Sequence, residues 1–315
     1  MASSLAYKVH HYAPDKDLQQ VGVWPLDLDD KSKYWVIYIH GGAWRDPAIL
    51  HKTFVPSIDK LLSSSTSPAR GRIAAFASID YRLSAHPDHP QDPNTTPASQ
   101  IRDALHPDHA NDVVAAISYL QAQYGFGSRY ILLGHSAGAT LTFQAIADLT
   151  TTTTTTKKFV QPEAAIGLCG IYDLSALWDR TGGTYGFIRA VFGPDRIAWD
   201  AASPARFPQH NNNKPGARYS DIWHLPGDNK TDSTTGEDSN RETAKTTKKP
   251  VVILASSPED ELISEEEVQT MAAAVEGDTG LDYTLVKDMR GKHDDIWLQG
   301  DEVARLVALA LDRLA

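Results

Sequence analysis

The run Gly134-His135-Ser136-Ala137-Gly138 has the spacing G-x-S-x-G, the pattern that lifts a serine hydroxyl out of a sharp strand-to-helix turn so that it can attack a carbonyl carbon. Glycines on either side of the serine permit the tight turn, and the N-terminus of a following helix favours developing negative charge. A second run, His40-Gly41-Gly42-Ala43-Trp44, suits the other half of that chemistry. Acyl transfer passes through a tetrahedral oxyanion, and two backbone N–H groups usually hold it. Ala137, directly after the serine, is expected to supply one and Gly42 or Gly41 the other. A serine also needs a base, and the base an orienting carboxylate. His293 is the only histidine downstream of His224, so it is the expected base. Three acids, Glu259, Asp260 and Glu261, precede it in sequence. Asp260 is the favoured partner and Glu259 the main alternative; an acid here could instead belong to the approach to the next helix.

These residues need elements to hold them. Continuous apolar runs at 34–39, 73–79, 130–133, 164–169, 251–255 and 283–286 read as buried strands. Apolar residues at helical spacing mark helices from Pro47 through Leu62, over 108–120, 137–149 and 265–275, and over 301–314. Strands alternating with helices predict an α/β fold with a mainly parallel central sheet and helices on both faces. Residues 7–12 and 21–24 could form an antiparallel hairpin at its edge. The motifs fall on loops after strands: Gly41 and Gly42 after 34–39, Ser136 after 130–133, Asp260 after 251–255 and His293 after 283–286.

The chain has 315 residues, long enough to bury a large core without staples. The alternation resumes after residue 250 as though one sheet continues, which predicts a single domain over 1–315. Two segments fall outside that pattern. A threonine-rich stretch at 150–158 reads as a surface-loop expansion, and about 208–249 reads as a mobile polar insertion, with Tyr219 to Trp223 and Leu225 as its only candidate anchors. The net charge of -10 argues against nucleic acid, which would need a basic face. Neither a secretory leader nor a membrane-length apolar run is visible, and the single cysteine, Cys169, cannot form an internal disulfide. A cytoplasmic protein is expected, with a homodimer left open. His-Pro-Asp-His occurs at 86–89 and again at 106–109. The spacing matches no familiar metal-ligand pattern, and Asp108 reads better as a helix start. Arg82 reads as one half of a structural salt bridge, with a substrate carboxylate as the alternative.

Taken together, His40 to Trp44, Tyr81-Arg82-Leu83-Ser84, Gly134 to Ala139, Asp260-Glu261-Leu262 and His293 follow the order of the α/β-hydrolase superfamily. In detail they resemble the fungal kynurenine formamidases (arylformamidases), most of all in the His-Gly-Gly-x-Trp motif. The resemblance covers about residues 34–145 and 250–297. It implies an α/β-hydrolase fold, a Ser136–His293–Asp260 triad, no cofactor, and hydrolysis of N-formyl-L-kynurenine to L-kynurenine and formate in tryptophan catabolism. An aromatic amine of this kind needs a flat apolar slot. Trp44 is placed to line it, with Trp178, Tyr185, Phe187 and Phe192 as weaker candidates. A broad carboxylesterase of the same fold, or a non-catalytic receptor or binding module built on it, is the competing expectation.

Overall fold

The computed structural model describes residues 2, 5–63, 68–147, 159–207, 217–226 and 248–315. Eight strands form one sheet: β1 (Lys8–His11), β2 (Gln20–Pro25), β3 (Tyr34–Ile39), β4 (Ile73–Ile79), β5 (Tyr130–His135), β6 (Ala164–Leu168), β7 (Val251–Ala255) and β8 (Asp282–Val286). Their order is β1-β2-β4-β3-β5-β6-β7-β8. The pairs β1·β2 and β2·β4 are antiparallel and every other pair is parallel. The expected edge hairpin is therefore present, joined to a parallel sheet.

The central strands are buried throughout because both of their faces are covered. In β3, Trp35, Ile37 and Ile39 enter one core while Tyr34, Val36 and Tyr38 enter the other, the period-2 alternation that the pleat imposes. On the first face lies α3 (Asp108–Tyr124), through Val113, Ala116, Ile117 and Leu120. On the second lie α1 (Val55–Ser63), which precedes a short α2 (Pro68–Gly71), and the C-terminal helix over Asp301–Arg313. That last helix buries Val303, Leu306, Val307, Ala310 and Leu311, apolar positions at the i, i+3, i+4, i+7, i+8 spacing of one helical stripe. The helix expected from Pro47 begins later: a 3-10 turn over His51–Phe54 leads into α1.

Between β6 and β7 the described residues form three α-helices that periodicity does not reveal, α5 (Leu174–Arg180), α6 (Phe187–Phe192) and α7 (Arg196–Ala202). They follow α4 (Ala137–Ile146) and precede α8 (Glu265–Val275) and α9 (Asp295–Gln299). Helices of two turns are too short to display an apolar stripe. The threonine-rich stretch at 150–158 lies outside the described residues, as do 208–216 and 227–247 of the polar insertion. The part of that insertion between them is packed, not polar filler. Ala217, Tyr219, Trp223 and Leu225 are buried, and Trp223 Nε1 donates to the Pro162 carbonyl at 2.8 Å.

Candidate active site

Ser136 stands alone between β5 and α4 with φ 55° and ψ -121°. This is left-handed backbone for a non-glycine residue, a conformation that costs about 1–3 kcal/mol and persists only where the surroundings enforce it. Here they do. A Cβ on Gly134 would sit 2.1 Å from the Gly138 carbonyl oxygen, and one on Gly138 would sit 2.1 Å from the Ile39 carbonyl oxygen. Neither position admits any other residue, which is the steric content of the G-x-S-x-G spacing. The Ser136 N–H donates to the Leu168 carbonyl at 2.9 Å, tying the turn to β6.

The loop after β3 is equally constrained. Gly42, Ala43 and Trp44 all have positive φ, at 86°, 48° and 60°. A Cβ on Gly41 would approach within 3.1 Å of both Ser136 Cβ and the His135 carbonyl oxygen, so glycine lets this loop lie against the serine. Buried His40 stacks on Tyr81 with centroids 4.4 Å apart. The Tyr81 hydroxyl donates towards the His40 and Gly41 carbonyls at 3.1 and 3.0 Å, which fixes the orientation of those peptides. Ala137 is the first residue of α4, so its N–H lacks an intrahelical acceptor.

On the far side of the serine, His293 Nδ1 and Asp260 Oδ2 are 2.8 Å apart and both side chains are nearly fully buried. The other carboxylate oxygen of Asp260 accepts from the N–H groups of Leu262 and Ile263 at 2.9 and 2.8 Å. Burial works against the Asp260 charge. The hydrogen bond and charge of His293, the Ile263 N–H and the Cys169 thiol outweigh it and hold the carboxyl below its ordinary pKa. Of the competing acids, Glu259 and Glu261 are exposed and accept from the N–H groups of Gly291 and His293 at 3.2 Å. They brace the loop that carries His293 without touching its ring.

Ser136 and His293 face one cavity of about 220 Å³, with Gly42 and Ala43 on its wall. Ile171, Tyr185, Phe187, Leu262 and Ile263 give it an apolar side, while Arg45, Asp46, His86 and Asp294 give it a polar one. Trp44 is placed differently from the sequence expectation. It is fully buried and does not line the cavity; its ring packs behind Phe187 at 6.0 Å and edge-on to Phe192 at 5.1 Å. Trp178 packs on Trp199 at 5.2 Å, leaving Tyr185 and Phe187 as the two aromatics on the cavity.

Sequence reasoning missed two neighbours of the dyad. Cys169 has φ 46° at the end of β6, and its buried thiol is pushed up in pKa by burial and by Asp260, to which it hydrogen-bonds. The His135 ring lies 4.5 Å from that of His293. Ligand atoms of His135, Cys169 and His293 fall within 4.8 Å of one another. Both Cys169 and His293 are already hydrogen-bonded to Asp260, however, and that arrangement suits an oriented imidazole better than an ion. Arg82 chelates Asp112 through Nε and Nη2 at 2.8 and 2.9 Å, the structural role expected of it. The repeated His-Pro-Asp-His segments part company: His86 reaches the cavity, whereas His109 is buried against Ser84 Oγ at 3.1 Å.

The sheet order, the strained serine between β5 and α4, and the loops that surround it define an α/β-hydrolase. A bacterial esterase/lipase from an uncultured source superposes with a TM-score of 0.61 over 99% of this chain and 86% of its own, at 16% identity, a likeness of fold alone. No protein-family model matches. Among curated proteins, a kynurenine formamidase-like hydrolase (fscH) of Fusarium equiseti is 33% identical over 91% of this chain and 85% of its own length. A kynurenine formamidase (avaC) of Aspergillus versicolor is 34% identical over 85% of each. The chain belongs to the kynurenine formamidase family.

Proposed function

We propose that the protein hydrolyses N-formyl-L-kynurenine to L-kynurenine and formate, with Ser136 as nucleophile, His293 as general base and acid, and Asp260 as the orienting carboxylate, all within one catalytic domain. The observation that carries this reading is the oriented Asp260–His293 pair opening onto the same cavity as the strained Ser136. Asp260 holds Nδ1 of the imidazole, which leaves Nε2 to take the serine proton. Ser136 Oγ then attacks the formyl carbon, and the N–H groups of Ala137 and Gly42 receive the oxyanion. Gly41 contributes clearance beside the serine. Collapse of the tetrahedral intermediate breaks the C–N bond. His293 returns its proton to the departing aryl amine, and water activated by the same imidazole releases formate from the formyl-serine.

A formyl group carries no chain beyond its carbonyl, so a narrow space beside Ser136 is sufficient. The aryl ring suits the apolar wall of Tyr185, Phe187 and Ile263, and Trp44 supports that wall from behind. Incubating the protein with N-formyl-L-kynurenine should yield L-kynurenine and formate in equal amounts. Ser136→Ala should abolish both this turnover and labelling by a serine-directed phosphonate. Labelling of the wild type without formate release would replace the formamidase reading by that of an esterase.

A further inference from the structure

The cavity holds a cation that no carboxylate among the described residues pairs with directly. Arg45 lines it together with Ser136 and His293, and among the described residues its guanidinium forms no hydrogen bond or ion pair. Its one specific contact is the Phe187 ring, 5.8 Å away. Arg82 provides the contrast. There Asp112 takes the guanidinium in a two-pronged pair, and although burial opposes the charge, Asp112 and Asp108 more than restore it and raise the pKa. At Arg45 burial wins over the more distant attraction of Asp88 and Asp46, and the pKa is lowered. A half-buried guanidinium in that state gains from any carboxylate that enters the cavity, because planar two-pronged pairing is the interaction it lacks.

The rest of the polar wall narrows what that carboxylate belongs to. Asp46 and Asp294 also face the cavity, and each has one oxygen engaged, by the Ala48 N–H at 2.8 Å and the Trp297 Nε1–H at 3.1 Å. A plain or multiply charged anion would meet these two acids. A zwitterion would set its carboxylate on Arg45 and its ammonium near them. Phe187, Tyr185 and Ile263 give the same cavity an apolar wall that suits a neutral ring.

We infer that Arg45 binds the α-carboxylate of an aryl amino-acid substrate and thereby selects amino-acid-bearing formamides over simple aryl formamides. This rests on the formamidase reading of the site and adds the determinant of its substrate class. A charged hydrogen-bonding pair contributes about 1.5–3 kcal/mol, which corresponds to roughly 10- to 150-fold in kcat/KM.

The test compares kcat/KM for N-formyl-L-kynurenine with that for N′-formylkynuramine, which lacks only the carboxylate. The same comparison is made for O-acetyl-L-tyrosine against 4-methylphenyl acetate. Ratios within one preparation do not depend on how much enzyme is folded. The wild type should favour the carboxylate-bearing member of each pair, Arg45→Gln should lower that ratio by about 10-fold or more, and Arg45→Lys should fall between. An unchanged ratio in Arg45→Gln overturns the inference. If neither formamide is turned over, the formamidase reading fails instead, and the ester pair still decides for or against Arg45.

Discussion

Among the described residues two buried aspartate–histidine pairs meet within hydrogen-bond distance, and one of them opens through His293 onto the Ser136 cavity. Asp260 and His293 meet at 2.8 Å beside Ser136. Asp80 and His51 meet at 2.6 Å beneath β2 and β4. The second pair is the more completely bonded. Asp80 also accepts from the His51 N–H at 2.6 Å and from Gln20 Nε2 at 2.8 Å, and the other ring nitrogen of His51 lies 2.6 Å from the Tyr7 hydroxyl. An imidazole engaged at both nitrogens orients a loop but cannot carry a proton to a substrate. Among the described residues the His293 ring is engaged at Nδ1 alone. What separates a catalytic pair from a structural one is the surroundings of the second nitrogen, not the strength of the first bond.

That contrast can be broken from either side. Ser136→Ala or His293→Ala should reduce kcat by about 10⁴- to 10⁶-fold with little change in Tm, because losing any one member of such a unit removes most of its catalysis. His51→Gln should do the reverse, lowering Tm while kcat of the folded enzyme stays within a few-fold. Next in size is the carboxylate exchange. Asp260→Asn should lower kcat by about 10⁴-fold by stabilising the wrong imidazole tautomer. Asp80→Asn should instead cost about 3–5 kcal/mol of stability, the usual penalty for breaking a buried pair. Urea denaturation beside steady-state kinetics checks all five variants, and equal activity losses in Asp260→Asn and Asp80→Asn would dissolve the distinction.

Cys169 tests how far the site's hydrogen-bond network extends. Removing its thiol with Cys169→Ala takes one donor from Asp260 but leaves His293 in place. The expected loss is no more than about 10-fold in kcat, the worth of a single hydrogen bond. Stopped-flow or steady-state rates would show it, and a loss as large as that of Asp260→Asn would make the thiol part of the reacting unit.

A further effect concerns pH. Burial, together with neighbouring His106 and Arg82, pushes the His109 imidazole down to about 3. Between that value and the ordinary histidine range the unfolded chain binds the extra proton and the folded one does not. Stability is therefore highest above about pH 6.5 and is lost progressively as pH falls towards 3. Tm measured from pH 8 to 4 should decline, and His109→Gln should flatten the decline. A slope unchanged by that substitution would remove His109 as its source.

Much of this was legible in the chain because local sterics dictated it. Gly134 and Gly138 are forced by backbone contacts of 2.1 Å, so their spacing survives as a readable motif. His293 was readable by elimination, and Asp260 by its place after β7, although only geometry separates it from Glu259. Trp44 was misplaced because the path of a loop with three successive positive φ values leaves no trace in periodicity. Arg45 stood one residue away and passed unremarked. The short helices α5 to α7, which bring Phe187 to the cavity, carry no stripe long enough to read.

Ser136 and His293 are proposed to serve a formamide. Measuring kcat/KM for N-formyl-L-kynurenine against that for phenyl acetate tests it most directly. A clear preference for the formamide is expected, and its loss in Ser136→Ala. Rapid hydrolysis of the ester with no detectable turnover of the formamide would contradict it.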